Sequence, residues 1–233
     1  MGHERSADFG NLRWKGEDIN HQWGKSVYAD RLLNSYIKRH FISNIEYFSI
    51  LKQIHDPLIF GTMAILANSE SIRRTHSCNI AKPWCKTCAK CAYVFLGYQA
   101  FIDDEPLLAQ IFDNQNLFNM TENVGHYEMM LGLKEHTPFE CIGSVDEAKL
   151  CFELCYRKGK AGRAIDIYLN RARVTEPTEW RRIIDTYFKV YSEADQGGLT
   201  LPPALQATVT PILKENAIRV QAYFTNHLNF TNF

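Results

Sequence analysis

Apolar positions along the chain recur every three to four residues far more often than they alternate, and the elements they outline are helices. Val27, Leu32, Leu33, Tyr36, Ile37 and Phe41 outline a helix over 25–39. Residues 44–51 (Asn44, Ile45, Glu46, Tyr47, Phe48 and on) read as a strand, or as extended backbone leading into the next helix. That helix runs over 58–68, with Pro57 in its first turn and Asp56 as its cap. Further helices are expected over 89–101, over 105–112 with Pro106 near its start, and in a short stretch holding Met129 and Met130 that ends near Gly132. The pattern continues with 146–157, capped by Ser144 or Asp146 and ended by Gly159, then 163–173 and 177–191. Residues 195–203 are rich in glycine and proline and read as a linker. A last helix, 204–223, is expected to be interrupted at Pro211. The fold class is mostly α with minor β, and the chain divides into 1–145, a helical extension 146–195, and a linker with terminal helix 196–233.

Composition narrows the function. The 233 residues carry 26 Lys+Arg against 26 Asp+Glu. A neutral chain lacks the broad electrostatic reason to bind nucleic acid or an acidic membrane surface. No apolar run reaches the ~18 residues of a membrane span, and the first residues lack the apolar centre of a signal peptide, so a cytoplasmic protein is expected. A chain of this length buries about 70% of its unfolded surface and needs no disulfides to fold.

The cysteines point to a metal instead. Four of the seven, Cys78, Cys85, Cys88 and Cys91, fall within fourteen residues. Four thiolates at about 2.3 Å around Zn(II) make a closed tetrahedral site, with Lys82, Lys86 and Lys90 to offset its charge and His76 as a substitute ligand nearby. A structural zinc that pins the start of the 89–101 helix is the favoured reading; an iron–sulfur cluster and free buried thiols are the alternatives. Cys151 and Cys155, four apart beside Leu150 and Leu154, read as core.

Other residues suggest chemistry one at a time. Gly24, Lys25 and Ser26 look like the tail of a phosphate loop, but the glycine-rich turn is missing, so no Walker motif is assigned. Lys25 at a helix start still favours an anion. Asn20, His21 and Gln22 form a polar run before it that no core demands, a surface turn being the alternative. Glu46, flanked by Ile45 and Tyr47, is either an exposed strand position or an acid drawn into a site. Glu140 and Cys141 place a carboxylate beside a thiol in a glycine-containing loop, an acid–base setting unless the thiol is simply buried.

Four segments in order carry a family resemblance: 20–26, 45–49, the cysteine run 85–96 with Lys90, and Pro138 to Gly143. Together they resemble the C-terminal part of the MurL-type ATP-dependent epimerases that act on UDP-N-acetylmuramoyl-L-alanyl-L-glutamate, from about Glu4 to Val145. The resemblance implies inversion of the terminal L-glutamate to D-glutamate in peptidoglycan precursor synthesis, with ATP and Mg(II) consumed. It implies the helical, zinc-bearing C-terminal portion of an α/β pyrophosphate-loop ATPase-like enzyme. On this reading Asn20, His21, Gln22, Lys25 and Ser26 contact substrate, while Glu46, Cys141 and Glu140 handle protons. The cysteine run also resembles the zinc segment of 7-cyano-7-deazaguanine synthases. Both families carry a Ser/Thr-Gly-Gly-Lys-Asp-Ser type loop that is absent from these 233 residues. The expectation is therefore a partner ATP-binding half, or a non-catalytic zinc-stabilised binding module.

Overall fold

The computed structural model describes residues 1–10, 12–135, 142–192, 195 and 201–228. It is mostly helical. Among the described residues ten α-helices follow a small hairpin: α1 Val27–His40, α2 Asp56–Leu66, α3 Ser69–Arg74, α4 Ala89–Phe101, α5 Glu105–Ile111, α6 Thr121–Met130, α7 Val145–Arg157, α8 Arg163–Arg171, α9 Pro177–Tyr187 and α10 Pro203–Leu228.

The hairpin pairs β1 Leu12–Trp14 with β2 Glu17–Ile19, antiparallel, with Leu12 opposite Ile19 and Trp14 opposite Glu17. Its two-residue turn places Lys15 and Gly16 at φ 49° and 86°, the left-handed geometry whose twist matches that of the paired strands. The strand expected over 44–51 does not form. Its backbone groups are taken by other partners: Tyr47 N–H donates to Asn34 Oδ1, the terminal amine donates to Phe48 O, and Leu51 N–H donates to the Ser49 hydroxyl.

α4 is the centre of the protein. Nearly every side chain from Ala89 to Phe101 is buried, and a helix that is apolar on all sides must be enclosed by others. α7 runs along it, α6 and α2 flank it, and α10 lies across α2. The α2–α10 crossing is close because of Gly61, where an added Cβ would sit 2.3 Å from Val220 Cγ1. One core runs from Ile54 to Phe224, joining Leu96 and Phe118 with Leu150 and Trp180 and with Leu213 and Val220.

Local signals explain most boundaries. Ser144 and Glu147 close a capping box on α7, Ser26 caps α1 by accepting from Ala29 N–H, and Cys88 caps α4. Asp56 is not a cap: His55 holds that position and Asp56 is the first helical residue. α3, with Asn68 as its cap, was not expected. α10 passes through Pro211 unbroken. The ring costs the bond to the Ala207 carbonyl, but both residues are exposed, so water replaces it.

Candidate active site and metal centre

A cavity of about 550 Å³ opens where the first ten residues meet the starts of α2 and α7 and the end of α9. Ser6, Phe9, Gln22, His55, Met130, Gly143, Ser144, Tyr187 and Tyr191 are among its walls. His55 is 3% exposed and is held on three sides. Its Nδ1 lies 2.8 Å from Ser6 Oγ, which donates to Glu147 Oε1 at 2.7 Å. Tyr187 and Tyr191 meet the imidazole edge-on at 4.8 and 5.5 Å between centroids. This network assigns the ring proton to Nδ1, because Ser6 spends its own proton on Glu147 and accepts from the histidine. Nε2 is left buried, with no hydrogen-bond partner among the described residues.

Glu147 is fully buried and fully engaged. Besides Ser6 it accepts from Asp56 N–H at 3.2 Å and Ser144 N–H at 2.6 Å. Burial alone would raise its pKa, yet the hydrogen bonds from His55, Ser6 and Ser144 hold the carboxyl below the usual range. Asp56, one residue after His55, goes the other way. Burial, then the charges of Glu4 and Glu147, push it from 3.8 to about 7, while Tyr93 donates to its Oδ2 at 2.9 Å. Two neighbouring carboxyls with opposed shifts keep one ionised beside a histidine and the other protonated at mildly acidic pH, an arrangement suited to proton transfer. Gly143 packs against the same groups: a Cβ there would lie 2.1 Å from Tyr93 OH.

The residues singled out from the sequence are divided. Gln22 lines the cavity and accepts from Lys25 Nζ at 2.9 Å. Asn20 ties the turn together, donating to Ala7 O and accepting from Gln22 N–H. His21 follows in that turn, half-buried. Ser26 is buried as the α1 cap. Glu46 is not among the lining residues; it is half-exposed and paired with Lys38 at 2.6 Å. Glu140 and Cys141 lie outside the described residues, although Ile142, the next in the chain, lines the cavity. The sequence reading passed over His55, Ser6 and Glu147. The available signals were a histidine directly before an Asp-Pro helix start and the Ser-x-x-Glu capping box, which read as local structure alone.

The four clustered cysteines do converge. Their Sγ atoms all lie within 4.8 Å of one another, with Cys78–Cys88 at 4.0 Å and Cys85–Cys91 at 3.7 Å. Four sulfurs at 2.3 Å from one ion stand about 3.8 Å apart, so the cluster fits a single tetrahedral centre. It is too tight for a cage of several irons. Burial pushes the Cys78 thiol up, but N–H donors from Ala81, Cys85 and Ile80 outweigh it and bring the thiol down to about 6. Cys88 accepts from Cys91 N–H at the start of α4, which ties the centre to the core helix. Cys151 and Cys155 are buried core thiols, as their spacing suggested.

Comparison with known proteins divides the chain in two. Residues 1–50 match the family model of the MurL N-terminal domain, and residues 70–181 match that of the MurL C-terminal domain. A UDP-N-acetyl-alpha-D-muramoyl-L-alanyl-L-glutamate epimerase from Salinispora tropica is 35% identical over 161 residues, covering 66% of this chain and 34% of the relative. The protein of the same description from a Micromonospora species is 35% identical over 161 residues, 66% of this chain and 35% of the relative. That from Xanthomonas oryzae pv. oryzae is 29% identical over 156 residues, 64% of this chain and 34% of the relative. The chain thus spans about a third of the length of the curated relatives it matches. No solved structure matches it. No helix among the described residues is long and apolar enough to cross a membrane.

Proposed function

Because the chain belongs to the MurL epimerase family, we propose that it supplies the substrate-side part of an enzyme that inverts the terminal L-glutamate of UDP-MurNAc-L-Ala-L-Glu. The observation that carries this reading is the His55 network, in which Ser6 from one matched segment and the buried Glu147 from the other meet behind an imidazole that lines the cavity.

The chemistry needs a base for a weakly acidic Cα proton. Activation of the α-carboxylate with ATP and Mg(II), performed by an ATP-binding part outside this chain, removes the charge that opposes deprotonation. His55 Nε2 then takes the proton from one face, with Glu147 and Ser6 fixing the tautomer and supporting the imidazolium that forms. We assign the return of a proton to the Cys141 thiol, which follows Glu140 in the sequence. Gln22 and Lys25 contact the substrate carboxylates or phosphate from the turn formed by Asn20, His21 and Ser26. The His55 assignment takes the place of Glu46, whose partner is Lys38. Zinc in the four-cysteine site is structural and performs no step.

The test is to mix the purified chain with a separately expressed ATP-binding part, the UDP-linked L-Ala-L-Glu substrate, ATP and Mg(II), and to measure D-glutamate, AMP and deuterium uptake at Cα from D2O. His55→Gln should lower turnover by at least about a hundredfold and abolish deuterium uptake from the face it serves, with the fold kept. Absence of product and of deuterium uptake in the wild-type mixture would reduce the chain to a zinc-stabilised binding module.

A further inference from the structure

Arg5 opens a single 3-10 turn, Arg5–Asp8, and is held in register with the His55 network twice: its N–H donates to Ile54 O at 2.9 Å, and Ser6, the next residue, meets His55 Nδ1. Its guanidinium lies 3.8 Å from the centre of the Tyr191 ring and 5.7 Å from that of Phe9. The same two rings flank His55, Phe9 stacked at 6.3 Å and Tyr191 edge-on at 5.5 Å. The cation and the imidazole are therefore neighbours that share a pair of aromatic side chains, and both of those side chains line the cavity. Arg5 is not itself among the lining residues; it is half-buried against two that are.

What sets Arg5 apart is the lack of an anion. Arg157 and Arg173 converge on Glu153, and Arg182 pairs with Asp146. Among the described residues no carboxylate pairs with Arg5, and its Nε is buried with no hydrogen-bond partner. Stacking uses the faces of a guanidinium and leaves its N–H edges unspent, so the two rings hold the group in place without satisfying it. A planar carboxylate is what such an edge takes, through a pair of parallel hydrogen bonds. In the substrate of the proposed reaction one carboxylate meets the condition. The α-carboxylate is consumed by activation, and the diphosphate is separated from the glutamate by the sugar and the alanine. The γ-carboxyl carbon stands only about 4 Å from Cα. A base at His55 Nε2 working on Cα thus brings the γ-carboxylate into the neighbourhood of Arg5.

We propose that Arg5 is a specificity-determining residue of this site, which binds the γ-carboxylate of the terminal glutamate and so presents its Cα to His55. Resting on the substrate reading given above, this assignment leaves Gln22 and Lys25 to the other anionic groups of the substrate. Calorimetry on the purified chain tests it with UDP-MurNAc-L-Ala-L-Glu and with the γ-amide UDP-MurNAc-L-Ala-L-Gln. The wild type should prefer the glutamate form by at least about tenfold, and Arg5→Gln should lose that factor while binding the γ-amide as the wild type does. On the wild type itself, where folding is not in question, the Arg5 Nε–H resonance should shift on addition of the glutamate form and stay in place with the γ-amide. Equal affinity for the two ligands, binding of neither, a preference that survives Arg5→Gln, a substitution that weakens both ligands together, or an unmoved Nε–H resonance would each overturn the proposal. Epimerisation by the mixture with the ATP-binding part that is undiminished in Arg5→Gln sinks this assignment and keeps the function. An Arg5-dependent preference for the glutamate form without epimerisation does the reverse.

Discussion

Among the described residues, 1–50 bury only Ala7, Val27 and Ala29 of their apolar side chains, while Trp14, Trp23, Tyr28, Tyr36 and Phe41 stand exposed. From Ile54 to Phe224 the balance is inverted: α4 is enclosed on all sides, and the exposed large side chains reduce to scattered positions such as Leu66, Ile80 and Ile218. The two regions have similar helix-forming patterns. What separates them is who supplies the other half of the contact. In the second region the apolar faces meet one another inside the chain. In the first, burial stops after the first turn of α1, and the apolar side chains beyond it stand uncovered.

The contrast between the two regions is greatest at the metal. Cys88→Ser/Cys91→Ser should abolish metal binding and cooperative unfolding of the core, a loss on the order of 10 kcal/mol. Elemental analysis of the wild type should find about one zinc per chain; iron, or an unchanged melt after chelation, would contradict a structural zinc at the start of α4. Asp56 gives a smaller effect with a defined sign. Its folded-state pKa is raised from 3.8 to about 7, so between those values the unfolded chain releases a proton that the folded chain keeps. Stability from this group therefore falls as pH rises through the window, by about 4 kcal/mol at most. Glu147, held low, works in the opposite direction below its ordinary value of 4.5. Asp56→Asn should flatten the decline in urea midpoint between pH 5 and pH 7.5, and an unaltered slope would remove the assignment. The smallest contrast uses two glycines. Gly61→Ala in the packed region should cost about 1–3 kcal/mol because its Cβ meets Val220, whereas Gly24→Ala meets nothing within 4 Å and should shift the midpoint by less than about 0.5 kcal/mol.

What could be read in the sequence follows the same division. The 89–101 helix was legible to the residue, because Cys88 of the cysteine run is its cap and the chain is apolar from Cys91 to Tyr98. The metal site was legible because thiol spacing carries chemistry in a few residues, and the structure brings those four sulfurs together. α10 was misread at Pro211, since one lost bond on an exposed face does not stop a helix whose other face is packed. The strand expected over 44–51 does not form because the Asn34 side chain, the terminal amine and the Ser49 hydroxyl take the backbone groups a strand would pair. The His55 network was not legible, although Gln22, singled out from the sequence, lines its cavity. Ser6, His55 and Glu147 carry no common motif, and only the fold sets them within hydrogen-bonding distance.

That last separation has a consequence for how the molecule is made. Ser6 and Glu147 are 141 positions apart, and Gln53, two residues before His55, bonds to Tyr191 O and to Thr210, 138 and 157 positions away. Each such contact closes a long loop whose entropy is repaid only after the intervening helices have packed. The imidazole is therefore oriented only once the start of α7 has met residues 6 and 56, and a chain halted during synthesis before α7 emerges presents a histidine with no carboxylate to aim it.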